Sequence, residues 1–202
     1  MKKFSADSIY TVTDEPLKNH VVVTDDDGKI LSIDHSQEHD TTTIQKLSGI
    51  LTPGFINTHC HLELSHMKGL VDTGTGLIPF ISDVVKHRDF PQEQILEAIA
   101  AADQEMYDNG IVAVGDISNK TDTVATKSKS KINYYTFVEM FDFMQSSMTD
   151  ETIDQYKAVY DAHSDSNGNK KSFVPHAPYS VSEGLYEYIR NENYQSDTVS
   201  IH

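Results

Sequence analysis

The chain has 202 residues, 16 Lys and Arg against 31 Asp and Glu, and a net charge of -15. This is enough length for one good core with an appendage, and the charge argues against nucleic-acid or anionic-membrane partners through plain repulsion. The single Cys60 rules out an internal disulfide framework; no apolar run reaches membrane-spanning length or follows the basic start as a leader would, so a cytoplasmic protein is expected.

Residues 1–52 read as a small β segment. Ser8 to Thr13 and His20 to Thr24 carry β-branched and aromatic residues, Asp25-Asp26-Asp27-Gly28 is a hairpin turn signal, and Lys29 to Ile33 returns as the partner strand. The acidic run lacks the spaced ligands and closing glutamate of a calcium loop, so it reads as a solvated turn. Residues 53–202 then change character. Gly54 to Thr58 is a β-leaning run that delivers His59 and His61 to one strand face and Cys60, a small buried hydrophobe, to the other. Taken alone, such a pair is either a metal-binding couple or two solvated imidazoles. Glu63, Ser65 and His66 follow where strand should give way to loop.

Pro79 to Val85 starts a short helix, and Pro91 opens a longer one, with Ile95, Ile99, Ala102 and Met106 at helical spacing and Gly110 as its C-cap. Ile111 to Ser118 is nearly continuously apolar, as a strand buried on both faces requires, and ends in the polar Asp116, Ser118 and Asn119. Thr121 to Lys131 is polar and weakly helical. Ile132 to Phe141 is the next strand, with Glu139 near its end, and Asp150 to His163 is a helix. Ser172 to Ser182 is a strand running into a proline-bounded turn that holds His176. Ser182 can cap a helix carrying Leu185, Tyr188 and Ile189, and Thr198 to His202 reads as a further strand.

Strand and helix alternate four times before a fifth strand, which argues for α/β architecture with a parallel sheet and right-handed crossovers. Polar residues fall at the C-terminal strand ends: His59, His61, Asp116, Ser118, Glu139, His176 and His202. That is the catalytic face of a (β/α) barrel. A doubly wound sheet would also place ligands there, but no glycine-rich phosphate loop follows the first strand. The expected fold is an incomplete (β/α)8 TIM-type barrel of about five strands, truncated after strand 5.

The run Pro53-Gly54-Phe55-Ile56-Asn57-Thr58-His59-Cys60-His61-Leu62-Glu63-Leu64-Ser65 resembles the first barrel strand of the amidohydrolase superfamily, in its branch of aminohydrolases and chlorohydrolases of nitrogen heterocycles. Pro175-His176-Ala177-Pro178-Tyr179-Ser180 resembles the fourth-strand segment of the same enzymes, and Val199-Ser200-Ile201-His202 the fifth strand. The resemblance implies that residues 1–52 belong to a composite β-sandwich and that His59, His61 and His202 hold one divalent metal, zinc foremost and iron as the alternative. Lys170 and Lys171 lie before the fourth strand, where they could not bridge a second metal.

It further implies that a metal-activated water attacks a ring carbon of a small-molecule substrate and displaces ammonia, with His176 contacting the substrate. Glu63 and Glu139 are candidate substrate contacts or ordinary salt-bridged carboxylates. The acid-base glutamate and the final aspartate ligand would lie beyond residue 202, so the chain reads either as the N-terminal part of a longer enzyme or as a freestanding product that must self-associate into a homo-oligomer. Ring opening, dechlorination and a non-catalytic metal-binding fragment stand as alternatives.

Overall fold

Val21, Val22 and Val23 are buried at the centre of the first part of the fold, where β-branched residues pack well on a pleated sheet. The computed structural model describes every residue except Asn167, Ser196 and His202, and the chain forms two compact units, Met1–Gly54 and Phe55–His202.

The first unit contains β1 (Lys2–Ser5), β2 (Ser8–Ile9), β3 (His20–Thr24), β4 (Ile30–His35), β5 (Gln45–Lys46) and β6 (Ile50–Leu51). One sheet has the order β4-β3-β1-β5, and β2 pairs with β6. The turn between β3 and β4 forms because Asp25 Oδ1 accepts the backbone N–H groups of Asp27 and Lys29, at 3.1 and 2.8 Å, so the acidic run closes a hairpin. The strand expected to reach Thr13 stops at Ile9. Val12 has φ 74°, a left-handed conformation that a β-branched residue cannot carry in a strand.

The second unit is built on β7 (Phe55–Cys60), β8 (Ile111–Ser118), β9 (Asn133–Met140) and β10 (Lys170–Pro175). These four strands are parallel, in the order β10-β9-β8-β7. Helices α1 (Leu77–His87) and α2 (Gln92–Asp108) cross from β7 to β8, α3 (Val124–Lys127) from β8 to β9 and α4 (Thr149–Ala162) from β9 to β10, while α5 (Glu183–Glu192) follows β10. Pro91 and Gly110 bracket α2, Gly110 at φ 81°, where a side chain would be strained. Ser182 accepts the Leu185 N–H and caps α5.

The helices pack on the sheet through two clusters. Leu62, Ile95, Ile99, Val114, Ile132 and Tyr134 lie under α2, and Val138, Met140, Tyr156, Val159, Phe173 and Leu185 lie under α4 and α5. On the other face Ile117, Phe137 and Val174 form the inner layer of a partial (β/α) barrel.

Two sequence expectations are corrected here. Lys170 and Lys171 open β10 rather than precede it, although they remain at the end opposite His176. Residues 197–201 form no strand. The reason is local: the Asn193 side chain accepts the Phe173 N–H at 3.0 Å and donates to the Phe173 carbonyl at 2.8 Å, taking the edge groups a fifth strand would pair with. Thr198 is held instead by side chains, its N–H donating to Tyr135 Oη and its carbonyl accepting from Ser172 Oγ. His202 lies outside the described residues.

Candidate functional site

The end of β7 brings two imidazoles together. His59 is exposed and His61 half-buried, and their ring centroids are 5.1 Å apart at 73°. His61 leaves the strand at φ -118°, ψ 74° and starts the 3-10 stretch Leu62–Met67. Between them Cys60 turns toward Ile95 and Val114, and burial, reinforced by the Asp116 carboxylate, pushes its thiol up to about 12, so it is an inert filler.

The turn after His61 is anchored from beneath. Asp116 Oδ1 accepts the Leu62 N–H at 2.7 Å, while its Oδ2 pairs with Lys127 Nζ at 2.6 Å and accepts from Ser118 Oγ at 2.9 Å. Lys127 also donates to Thr136 Oγ1 at 2.9 Å, and all four side chains are buried. Asp116 and Ser118 therefore face the helix side in a closed polar network and do not join the other polar strand ends. Their sequence gave no warning, because a continuous apolar run carries no alternation from which a face can be read.

A second network spans the ends of β8, β9 and β10. Glu63 is 4% exposed, and its Oε2 accepts the N–H groups of Asn119 and Lys120 at 2.9 and 3.1 Å. Burial nonetheless raises its carboxyl to about 7, against the lowering effect of those two donors. Asn119 Nδ2 donates to the Glu139 carbonyl at 2.8 Å and to Glu139 Oε2 at 3.2 Å, and Glu139 Oε1 lies 2.7 Å from His176 Nδ1. The His176 ring also leans on Phe141, centroids 5.5 Å apart. Glu63, Glu139 and His176 are thus tied together through Asn119, a residue the sequence marked only as polar at a strand end.

Beside this network the chain carries an apolar rim. Phe143 and Met144 have φ 53° and 62° and expose their side chains, with Phe143 in edge contact with Phe141. Asp142 locks the turn by accepting from the Ser182 N–H and from the hydroxyls of Thr149 and Ser182. These hydrogen bonds to the charged form pull its carboxyl below the ordinary range, against the opposing effect of burial.

Among the described residues no three His, Cys, Asp or Glu side chains are grouped to hold a metal ion. The donor chemistry of His59 and His61 does fit one, since paired imidazoles suit zinc and iron.

Four parallel strands with helical crossovers, with polar side chains gathered at their C-terminal ends, define a partial (β/α) barrel. Residues 50–202 match the model of the amidohydrolase family, and the chain belongs to that family. A Helicobacter pylori protein named adenosine deaminase is 29% identical over 140 residues, covering 68% of this chain and 33% of that protein. The solved H. pylori aminofutalosine deaminase in complex with methylthio-coformycin superposes with a TM-score of 0.80 at 23% identity, covering 100% of this chain and 50% of that one. An adenosine deaminase from Xanthomonas campestris with bound zinc gives 0.75 at 19% identity, covering 99% and 48%. The chain therefore spans a third of the curated relative and about half of each solved one.

Proposed function

We propose that this chain supplies the first barrel strands of a hydrolase that cleaves a carbon-nitrogen bond outside peptides, releasing ammonia from an amino-substituted nitrogen heterocycle. The observation that carries the reading is the 5.1 Å His59–His61 pair on one strand end, with the Glu63–Asn119–Glu139–His176 network on its neighbours. The relatives are named for deamination of adenosine and aminofutalosine, which supports a heterocyclic small-molecule substrate.

In this reading His59, His61 and His202 hold one divalent metal, zinc or iron. When bound, that ion supplies the Lewis acidity that makes water a nucleophile near neutral pH. The chain's own groups do the rest of what lies within it. The Glu139 carboxylate accepts the Nδ1 proton of His176 and fixes its tautomer, so that His176 binds and orients the ring through its other nitrogen. Glu63 and Glu139 are the carboxylate contacts to substrate, with Glu63 able to accept or donate a hydrogen bond near neutrality. The proton-shuttling glutamate and the last aspartate ligand belong to later barrel strands. Residues 1–52 form part of a composite β-sandwich and residues 53–202 the first part of the barrel.

The test is elemental analysis of the 202-residue chain beside its His59→Ala/His61→Ala variant, with ammonia release measured on aminopurines and aminopyrimidines. Stoichiometric metal in the wild type, its loss in the variant and no ammonia are expected. A folded wild-type chain without metal overturns the three-histidine set, and ammonia release overturns the assignment of the acid-base group to later strands.

A further inference from the structure

Regular alternation along β7 does not lead to the arrangement at its end. Ile56 and Thr58 line the inner face of the sheet with Tyr135 and Phe137. Asn57 points the other way, its Nδ2 3.9 Å from Met106 Sδ on α2, and Cys60 packs on that same helix side. Residues on one face of a regular strand are separated by an even number, whereas Asn57 and Cys60 differ by three positions. The break in parity falls where the register with β8 slips, between Asn57 and Cys60. In an unbulged strand His59 and His61 would share the helix-facing side with Asn57, and Cys60 would point inward.

Two residues accommodate the slip. Asn57 Oδ1 accepts the His59 backbone N–H at 3.2 Å, satisfying a donor in the bulged step. Across the pair, Gly115 leaves room for the displaced backbone: a Cβ there would lie 2.8 Å from the Thr58 carbonyl oxygen and 3.3 Å from its carbon. Bulges of this kind re-aim side chains beside active sites.

We propose that Asn57 and Gly115 are positioning residues, which build the bulge that turns the His59–His61 pair away from α2 and Cys60 toward it. The inference rests on the reading of His59 and His61 as a ligand pair only for its consequence, not for its geometry. It predicts that in the metal-free chain Cys60 shows NOEs to the Ile95, Ile99 and Val114 cluster under α2, contacts an unbulged strand would not make, and that the His59 amide is protected from hydrogen exchange. Asn57→Leu, which removes the acceptor, should abolish these NOEs and weaken zinc binding by about tenfold or more, the range set by outer-shell partners of metal ligands. Asn57→Asp, which keeps an oxygen in place, should retain both.

The measurements are NMR on the metal-free 202-residue chain and zinc competition with a chromophoric chelator, alongside urea denaturation. A folded Asn57→Leu chain that keeps the Cys60 NOEs and wild-type zinc affinity while losing only stability overturns the proposal. So does rapid exchange of the His59 amide in the wild type, a result that needs no variant to fold. A wild type with the NOEs present but no zinc bound counts against the metal reading, while the NOE and exchange data still decide the bulge.

Discussion

The buried pair Lys127–Asp116 permits a sharp test of how the turn carrying His61 and Glu63 is held. Lys127 is 4% exposed and Asp116 0%, so neither charge can be rescued by water if its partner is removed. Lys127→Met leaves the Asp116 carboxylate with the Leu62 N–H and the Ser118 hydroxyl but no counter-ion. Breaking a buried pair in this way costs about 3–5 kcal/mol, a large part of the stability of a small domain. Asp116→Asn strands the ammonium instead and should cost a similar amount. In the double variant neither charge remains, so its loss should fall below the sum of the two by about 2 kcal/mol or more. Urea denaturation followed by circular dichroism gives all three values. A Lys127→Met variant within about 1 kcal/mol of wild type, or an additive cycle, would refute the view that this pair is desolvated and mutually dependent.

Two further outcomes follow from the packing. Gly115→Ala should destabilise the chain by about 1–3 kcal/mol through the Thr58 contact, whereas Gly184→Ala in α5, whose new Cβ meets Thr149 at an ordinary 3.6 Å, should stabilise it by up to about 1 kcal/mol; urea midpoints of the two variants decide it. His163 is buried, its Nε2 has no hydrogen-bond partner among the described residues, and burial pushes its pKa down to about 4 from 6.5. The unfolded chain then takes up a proton below pH 6.5 that the folded chain refuses, so stability should fall as pH drops from 6.5 to 4, by on the order of 3 kcal/mol, and level off below. His163→Leu should remove that part of the pH dependence in urea titrations at pH 7, 5.5 and 4.

Much of the barrel unit is legible in the sequence because its signals are local and redundant. Pro91 and Gly110 bracket α2, and the apolar run from Ile111 marks β8 without help from any distant contact. The His59–His61 pairing was readable from alternation, though the structure reaches it through a bulge that alternation does not contain. What escaped depends on single side chains meeting across the fold. Asn193 replaces a strand partner at Phe173, and Lys127, in a segment that reads only as polar and weakly helical, closes a buried network with Asp116 and Ser118. Asn119 is similar: its polarity is visible, but its link between Glu63 and Glu139 exists only once β8 and β9 are adjacent.

The two left-handed residues Phe143 and Met144 have a consequence for engineering. Each holds a backbone conformation that costs an L-residue about 1–2 kcal/mol and glycine almost nothing, and each side chain is largely exposed, Phe143 touching Phe141 in edge contact. Replacement by glycine or asparagine therefore relieves strain while changing the shape and greasiness of the rim. A library confined to glycine and asparagine at these two codons would vary the rim beside the His176 network on a backbone that carries less strain.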